Sequence, residues 1–156
     1  MSVKHLLVAA GLVAGMTPAL TAQTTATQTV TITINTVNTV AVSGNVSIAV
    51  GIGPTTDNST SYDVSTNNAT AVKITGAIAG AAYPTGLSLT VALAAPTGAT
   101  ASSAQPLVIG ASAVDLVTGI SHIAETGKTI TYVATATALA SPTSATARTV
   151  TFTVVP

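Results

Sequence analysis

A histidine, His122, and two aspartates, Asp63 and Asp115, stand in a chain rich in serine, so Ser-His-Asp hydrolysis is the first chemistry to weigh. Enzymes of the α/β-hydrolase kind present the serine on a G-x-S-x-G turn, whose glycines permit a sharp bend. The nearest stretch, Gly110-Ala111-Ser112-Ala113-Val114, has valine where the second glycine is needed. His122 therefore reads as a loop histidine near Glu125. Asp57 and Asp63, with Asn58, are oxygen ligands of the type calcium takes, but the D-x-[DN]-x-[DN]-G loop is absent and two carboxylates hold calcium weakly. Glycoside cleavage needs two convergent acids, one in an apolar setting. Beyond residue 22 the acids are only Asp57, Asp63, Asp115 and Glu125. Sugar-binding modules stack rings on exposed aromatics, whereas Tyr62, Tyr132 and Phe152 alternate with apolar neighbours and read as core, leaving Tyr83 alone. No catalytic residue, cofactor or metal site is expected, and the protein reads as a non-enzyme.

Charge and cysteine content narrow the field further. Against those four acids stand Lys73, Lys128 and Arg148, too few and too scattered to form the basic patch that nucleic acid or an anionic membrane surface requires. There is no cysteine, which removes thiol chemistry, thiolate metal sites and disulfide support. With hardly any charge on the surface, association between copies is little opposed by self-repulsion. Apolar residues nevertheless make up 47% of the sequence and recur at period two, the mark of a folded domain and not of a solvated tract.

Lys4 and His5, the apolar run Leu6 to Met16 and the small-residue stretch Leu20-Thr21-Ala22 read as a secretion signal over residues 1–22, with Gln23 opening the mature chain. The run is too short to span a membrane as a helix, and the aromatic content of 3% is too low for the girdles of a transmembrane barrel. The expectation is an exported protein, extracellular or at the cell surface, with no membrane insertion and a single domain over 23–156.

Within that domain the β-branched residues predict strands throughout. Val30, Ile32 and Ile34 alternate with threonines, Val40 and Val42 follow, and Val46, Ile48 and Val50 form another strand after the Ser43-Gly44-Asn45 turn. Gly51 to Ser61 reads as a loop because of Gly53-Pro54 and Asp57-Asn58. Tyr62 and Val64, then Val72 and Ile74, flank Asn67-Asn68 as a hairpin. Ala77 to Gly86 reads as a connection, Leu87, Leu89, Val91 and Leu93 as the clearest core strand, and Pro96 to Pro106 as a second loop. Short strands are expected at Leu107–Ile109 and Val114–Val117, a turn region at Gly119 to Gly127, then Ile130, Tyr132, Ala134 and Ala136, and finally Val150, Phe152 and Val154. About eight to ten short, mostly antiparallel strands with no amphipathic helix predict an all-β fold, an immunoglobulin-like β-sandwich. Sequons at Asn45, Asn58 and Asn68 reinforce the turn assignments.

The signal followed by a Thr/Val strand, the central "GLSLTVAL", and the closing "TITYVATAT" and "TVTFTVV" resemble secreted bacterial surface and pilus-type β-sandwich subunits. The chain differs from the chaperone-usher class in lacking cysteine, and from type IV pilins in carrying a threonine-rich strand where those carry a long apolar helix. The resemblance implies a structural surface protein that acts by association, its partners being copies of itself joined head to tail or other surface subunits. Residues 23–35 are a candidate exchangeable N-terminal strand. Val30, Ile32 and Ile34 either complete their own domain or enter the core of the next copy, beside Val150, Phe152 and Val154. The alternative is a monomeric adhesin or ligand-binding module that uses the loops Gly51 to Ser61 and Pro96 to Pro106. A minor reading comes from Thr29-Thr31-Thr33, Thr129-Thr131 and Thr149-Thr151-Thr153, which resemble the ice-binding faces of some antifreeze proteins. Threonine is also the natural polar residue for an uncharged strand face, and ordinary sheets twist away from the flatness ice demands.

Overall fold

The structure, a computed structural model, describes residues 25–156. The signal segment 1–22 and the first two residues of the candidate exchangeable strand lie outside the described residues. From Ile34 to Pro156 the chain forms one compact unit, distinct from the residues before it. Among the described residues all regular structure is β, in nine strands: β1 (Asn38–Val42), β2 (Gly53–Thr66), β3 (Val72–Gly80), β4 (Leu87–Leu93), β5 (Thr100–Ala101), β6 (Gln105–Pro106), β7 (Val114–Ile120), β8 (Ile123–Ala136) and β9 (Arg148–Val155).

Two antiparallel sheets share one core. The first has the order β1-β2-β8-β4-β6 and the second β5-β7-β3-β9. Alternation along each strand sends one row of side chains inward: Tyr62 and Val64 from β2, Val91 and Leu93 from β4 and Ile130 from β8 meet Ile74 from β3 and Leu116, Val117 and Ile120 from β7. Every connection after β2 passes from one sheet to the other. The expected hairpin around Asn67-Asn68 is therefore an arch. Tyr62 and Val64 face Val72 and Ile74 across the core instead of lying beside them in a ladder, and a turn signal flanked by apolar alternation is the same for both arrangements. The β7–β8 crossover, Ser121-His122, is held against this arch by the bond from His122 N to the Asn68 carbonyl at 3.1 Å, with His122 at φ 45°.

Four further expectations change. Gly51 to Ser61 is not a loop, since β2 runs from Gly53 and pairs with β8 over its whole length. Pro54 is tolerated because β2 has no strand on its other side there, so its missing N–H breaks no ladder. Asp57-Asn58 falls in a bulge, where Asp57 accepts from Ser59 N at 3.0 Å and satisfies the backbone the bulge releases. The turn expected over Gly119 to Gly127 contracts to two residues, because β7 continues to Ile120 and β8 starts at Ile123. β3 extends through Ala77 to Gly80, each residue paired with β9. Leu107–Ile109 is no strand; Leu107 is buried but the ladder with β4 uses Gln105 and Pro106.

Two stretches expected as strands stand outside both sheets. Residues 29–35 carry no strand pairing, and Val30, Ile32 and Ile34 are 71%, 82% and 84% exposed. Residues 44–50 likewise carry none, although Val46, Ile48 and Val50 are half-buried. Alternation and β-branching give both stretches strand propensity, but a strand exists only where a second chain segment completes its hydrogen bonds.

One glycine is required by the tertiary arrangement. Gly86 has φ +82°, and its carbonyl accepts from Thr137 N at 2.8 Å where β4 begins beside the end of β8. A Cβ there would lie 2.9 Å from Ala140 N, a backbone atom that cannot swing aside.

Candidate interaction site

The residues singled out for chemistry do not converge. His122 sits in the Ser121-His122 crossover, and no group of three or more His, Asp or Glu side chains suited to a metal occurs among the described residues. Asp57 bonds the backbone and hydroxyl of Ser59 within its own bulge, and Asp63 accepts from Gly127 N at 2.8 Å. Lys73 pairs with Asp115 at 3.0 Å across β3 and β7, both partly exposed. Glu125 is held by Lys128 and by Thr97 N, and these bonds, Lys128 foremost, lower its carboxyl to about 2. These acids are thus tied into backbone and ion-pair contacts.

Tyr83 is not an exposed platform. It is half-buried beneath the Arg148 guanidinium, which lies 4.8 Å from the ring centroid. Arg148 spends its donors on the carbonyls of Ala81, Ala82 and Thr146 at 2.9–3.2 Å, fastening the start of β9 to the β3–β4 connection. Burial raises the Tyr83 hydroxyl above its ordinary pKa, with Arg148 opposing the shift. Of the sequons, Asn58 lies in the β2 bulge, not in a turn, while Asn68 sits in the arch and donates to Asn38 at 3.2 Å.

What the structure does bring together lies along one side of the sheets. β9 pairs with β3 through its full length from Arg148 to Val155, and among the described residues its other edge has no strand. Its Val150, Phe152 and Val154 are half-buried and pack against the core. On the opposing sheet β1 covers β2 only from Tyr62 to Thr66, so Gly53 to Thr60 also lack a strand on that side. Backbone N–H and C=O groups along such edges are a template for another strand.

Between the sheets at this side is a cavity of about 600 Å³, lined by Val46, Ile48, Leu89, Ile130, Val150 and Phe152. Two of the residues that line it, Thr60 and Tyr83, have buried hydroxyls with no hydrogen-bond partner. An unmet hydroxyl in an apolar setting is destabilising, so Thr60→Val is expected to raise stability by about 1 kcal/mol in urea unfolding. A loss of stability would show that the hydroxyl is bonded in the folded protein. Neither orphan hydroxyl was legible in the sequence, because whether a threonine or tyrosine oxygen meets a partner is decided by segments far away along the chain.

No protein-family model matches this chain, and neither a curated protein nor a solved structure does.

Proposed function

We propose that this protein is a non-enzymatic, exported structural subunit with an immunoglobulin-like β-sandwich, of the surface or pilus type, which assembles with copies of itself through its N-terminal strand. The observation that carries the reading is the exposure of Val30, Ile32 and Ile34 on a segment with strand propensity and no strand partner among the described residues. Three β-branched apolar side chains on one face gain roughly 1.5–3 kcal/mol each when buried, which an incoming strand obtains in a neighbour. The open edge of β9, with Val150, Phe152 and Val154 behind it, offers both the hydrogen bonds and the apolar contact. Donor and acceptor are different surfaces of one chain, so the contact is heterologous and propagates head to tail. The low charge of the chain leaves this association little opposed by self-repulsion.

The test compares the chain from Gln23 to Pro156 with a Val30→Asp/Ile32→Asp/Ile34→Asp variant, by size-exclusion chromatography and electron microscopy. The expected result is filaments or a ladder of oligomers from the first, and a folded monomer with an unchanged melting temperature from the second. A wild-type chain that stays monomeric at every concentration would overturn the reading, as would a variant that assembles equally well.

A further inference from the structure

The chain carries the same apolar signature twice. Val30-Thr31-Ile32-Thr33-Ile34 and Val46-Ser47-Ile48-Ala49-Val50 both place β-branched apolar residues at every second position with small residues between. Both stand outside the sheets, yet their burial differs. Val30, Ile32 and Ile34 are exposed, whereas Val46, Ile48 and Val50 are half-buried on the wall of the cavity between the sheets. Segment 44–50 thus presents a strand's side chains to the core without a strand's backbone ladder.

Three observations show that it fills its place incompletely. The cavity of about 600 Å³ remains beside it. Thr60 and Tyr83, which line the cavity, keep buried hydroxyls without hydrogen-bond partners, Thr60 with only 7% of its surface exposed. The edges of β9 and of β2 from Gly53 to Thr60 keep their backbone groups unpaired by any strand among the described residues. Gly44 and Gly51 flank the segment, and glycine without a Cβ has the widest choice of backbone conformation, so both ends accommodate a change of path.

From this duplication we infer that residues 44–50 are an internal stand-in for the incoming strand. They and residues 29–35 of a second copy are alternative occupants of one gap between the two sheets. The inference rests on the strand-exchange reading above and adds its regulation: a free subunit is held by its own segment, and assembly requires that segment to leave. Exchange replaces a segment lacking a ladder by one that makes it, with Ile34 taking the place of the smaller Val50.

The probe is a fluorescent peptide of residues 28–35, added to the Val30→Asp/Ile32→Asp/Ile34→Asp chain, which keeps the acceptor and removes the donor. Adding Ile48→Ser weakens the internal occupant. If segment 44–50 holds the gap in nine of ten molecules, the apparent Kd for the peptide falls about tenfold. Equal affinity with and without Ile48→Ser would overturn the stand-in while leaving strand exchange intact. Absence of peptide binding to either chain would overturn strand exchange itself. A second measurement does not depend on Ile48→Ser folding. The chain has no cysteine, so Ile48→Cys introduces a single thiol whose modification reports departure from the cavity. Labelling is expected to accelerate on saturation with peptide, and an unchanged rate with peptide bound would also overturn the inference.

Discussion

The folded protein is expected to lose roughly 4 kcal/mol of stability as the pH rises from 10 to about 12, through Tyr62 and Tyr132 alone. Burial pushes each phenol from 10.0 up to about 12, and for Tyr62 the negative charge of Glu125 adds to the shift. Tyr62 is also bonded as the neutral phenol, its hydroxyl donating to the Ala94 carbonyl at 2.6 Å. Because folding raises both pKa values, the stabilisation is complete below the unfolded value of 10.0 and disappears as the pH passes through the folded value near 12. Acid has no such effect through these groups. The measurement is urea unfolding at a series of alkaline pH values, with tyrosinate absorbance recorded on the folded chain. Tyr62→Phe and Tyr132→Phe should each remove about half of the dependence. Ionisation of all three tyrosines near their ordinary pKa in the folded protein, or a flat stability profile, would contradict this account.

Ile74→Ala is expected to destabilise the protein by about 3–4 kcal/mol, whereas Ile32→Ala should change stability by less than about 0.5 kcal/mol. The two isoleucines occupy equivalent places in similar local patterns, flanked by polar or small residues with an apolar residue two positions away. Ile74 is 0% exposed in β3, opposite Val117 of β7 and Val154 of β9, so its truncation leaves a cavity whose walls are fixed from both sides. Ile32 is 82% exposed, and its truncation removes no packing from the free chain. The contrast separates folding from association. If Ile32 belonged to the protein's own core, denaturant unfolding of Ile32→Ala would show a loss comparable to that of Ile74→Ala. A small effect on unfolding joined to weakened assembly would agree with a strand kept for a neighbour.

The all-β class was legible because β-branching and period-two alternation are local properties that constrain a chain whatever its partners. β4 is the clearest case: Leu87, Leu89, Val91 and Leu93 announce a strand that the structure places at Leu87–Leu93. β9 and the later part of β8 follow the same rule. The misread segments are those where a local signal has two tertiary outcomes. Gly53-Pro54 and Asp57-Asn58 are turn formers in isolation, but an edge absorbs the proline and a bulge absorbs the aspartate. Asn67-Asn68 reverses the chain in either a hairpin or an arch, and only the demand that β2 and β3 bury their apolar rows against each other selects the arch.

The candidate site follows the same division. The sequence by itself determined that Val30, Ile32, Ile34 and Val150, Phe152, Val154 are alternating apolar rows with strand propensity, of which only the second is a strand in the structure. The tertiary structure decided that the second row backs a strand whose other edge has no partner among the described residues while the first row is exposed, and that Val46, Ile48 and Val50 border a cavity between the sheets. The physical reason is that a face is set by neighbours in sequence, whereas its burial is set by whichever segment arrives from far along the chain to cover it.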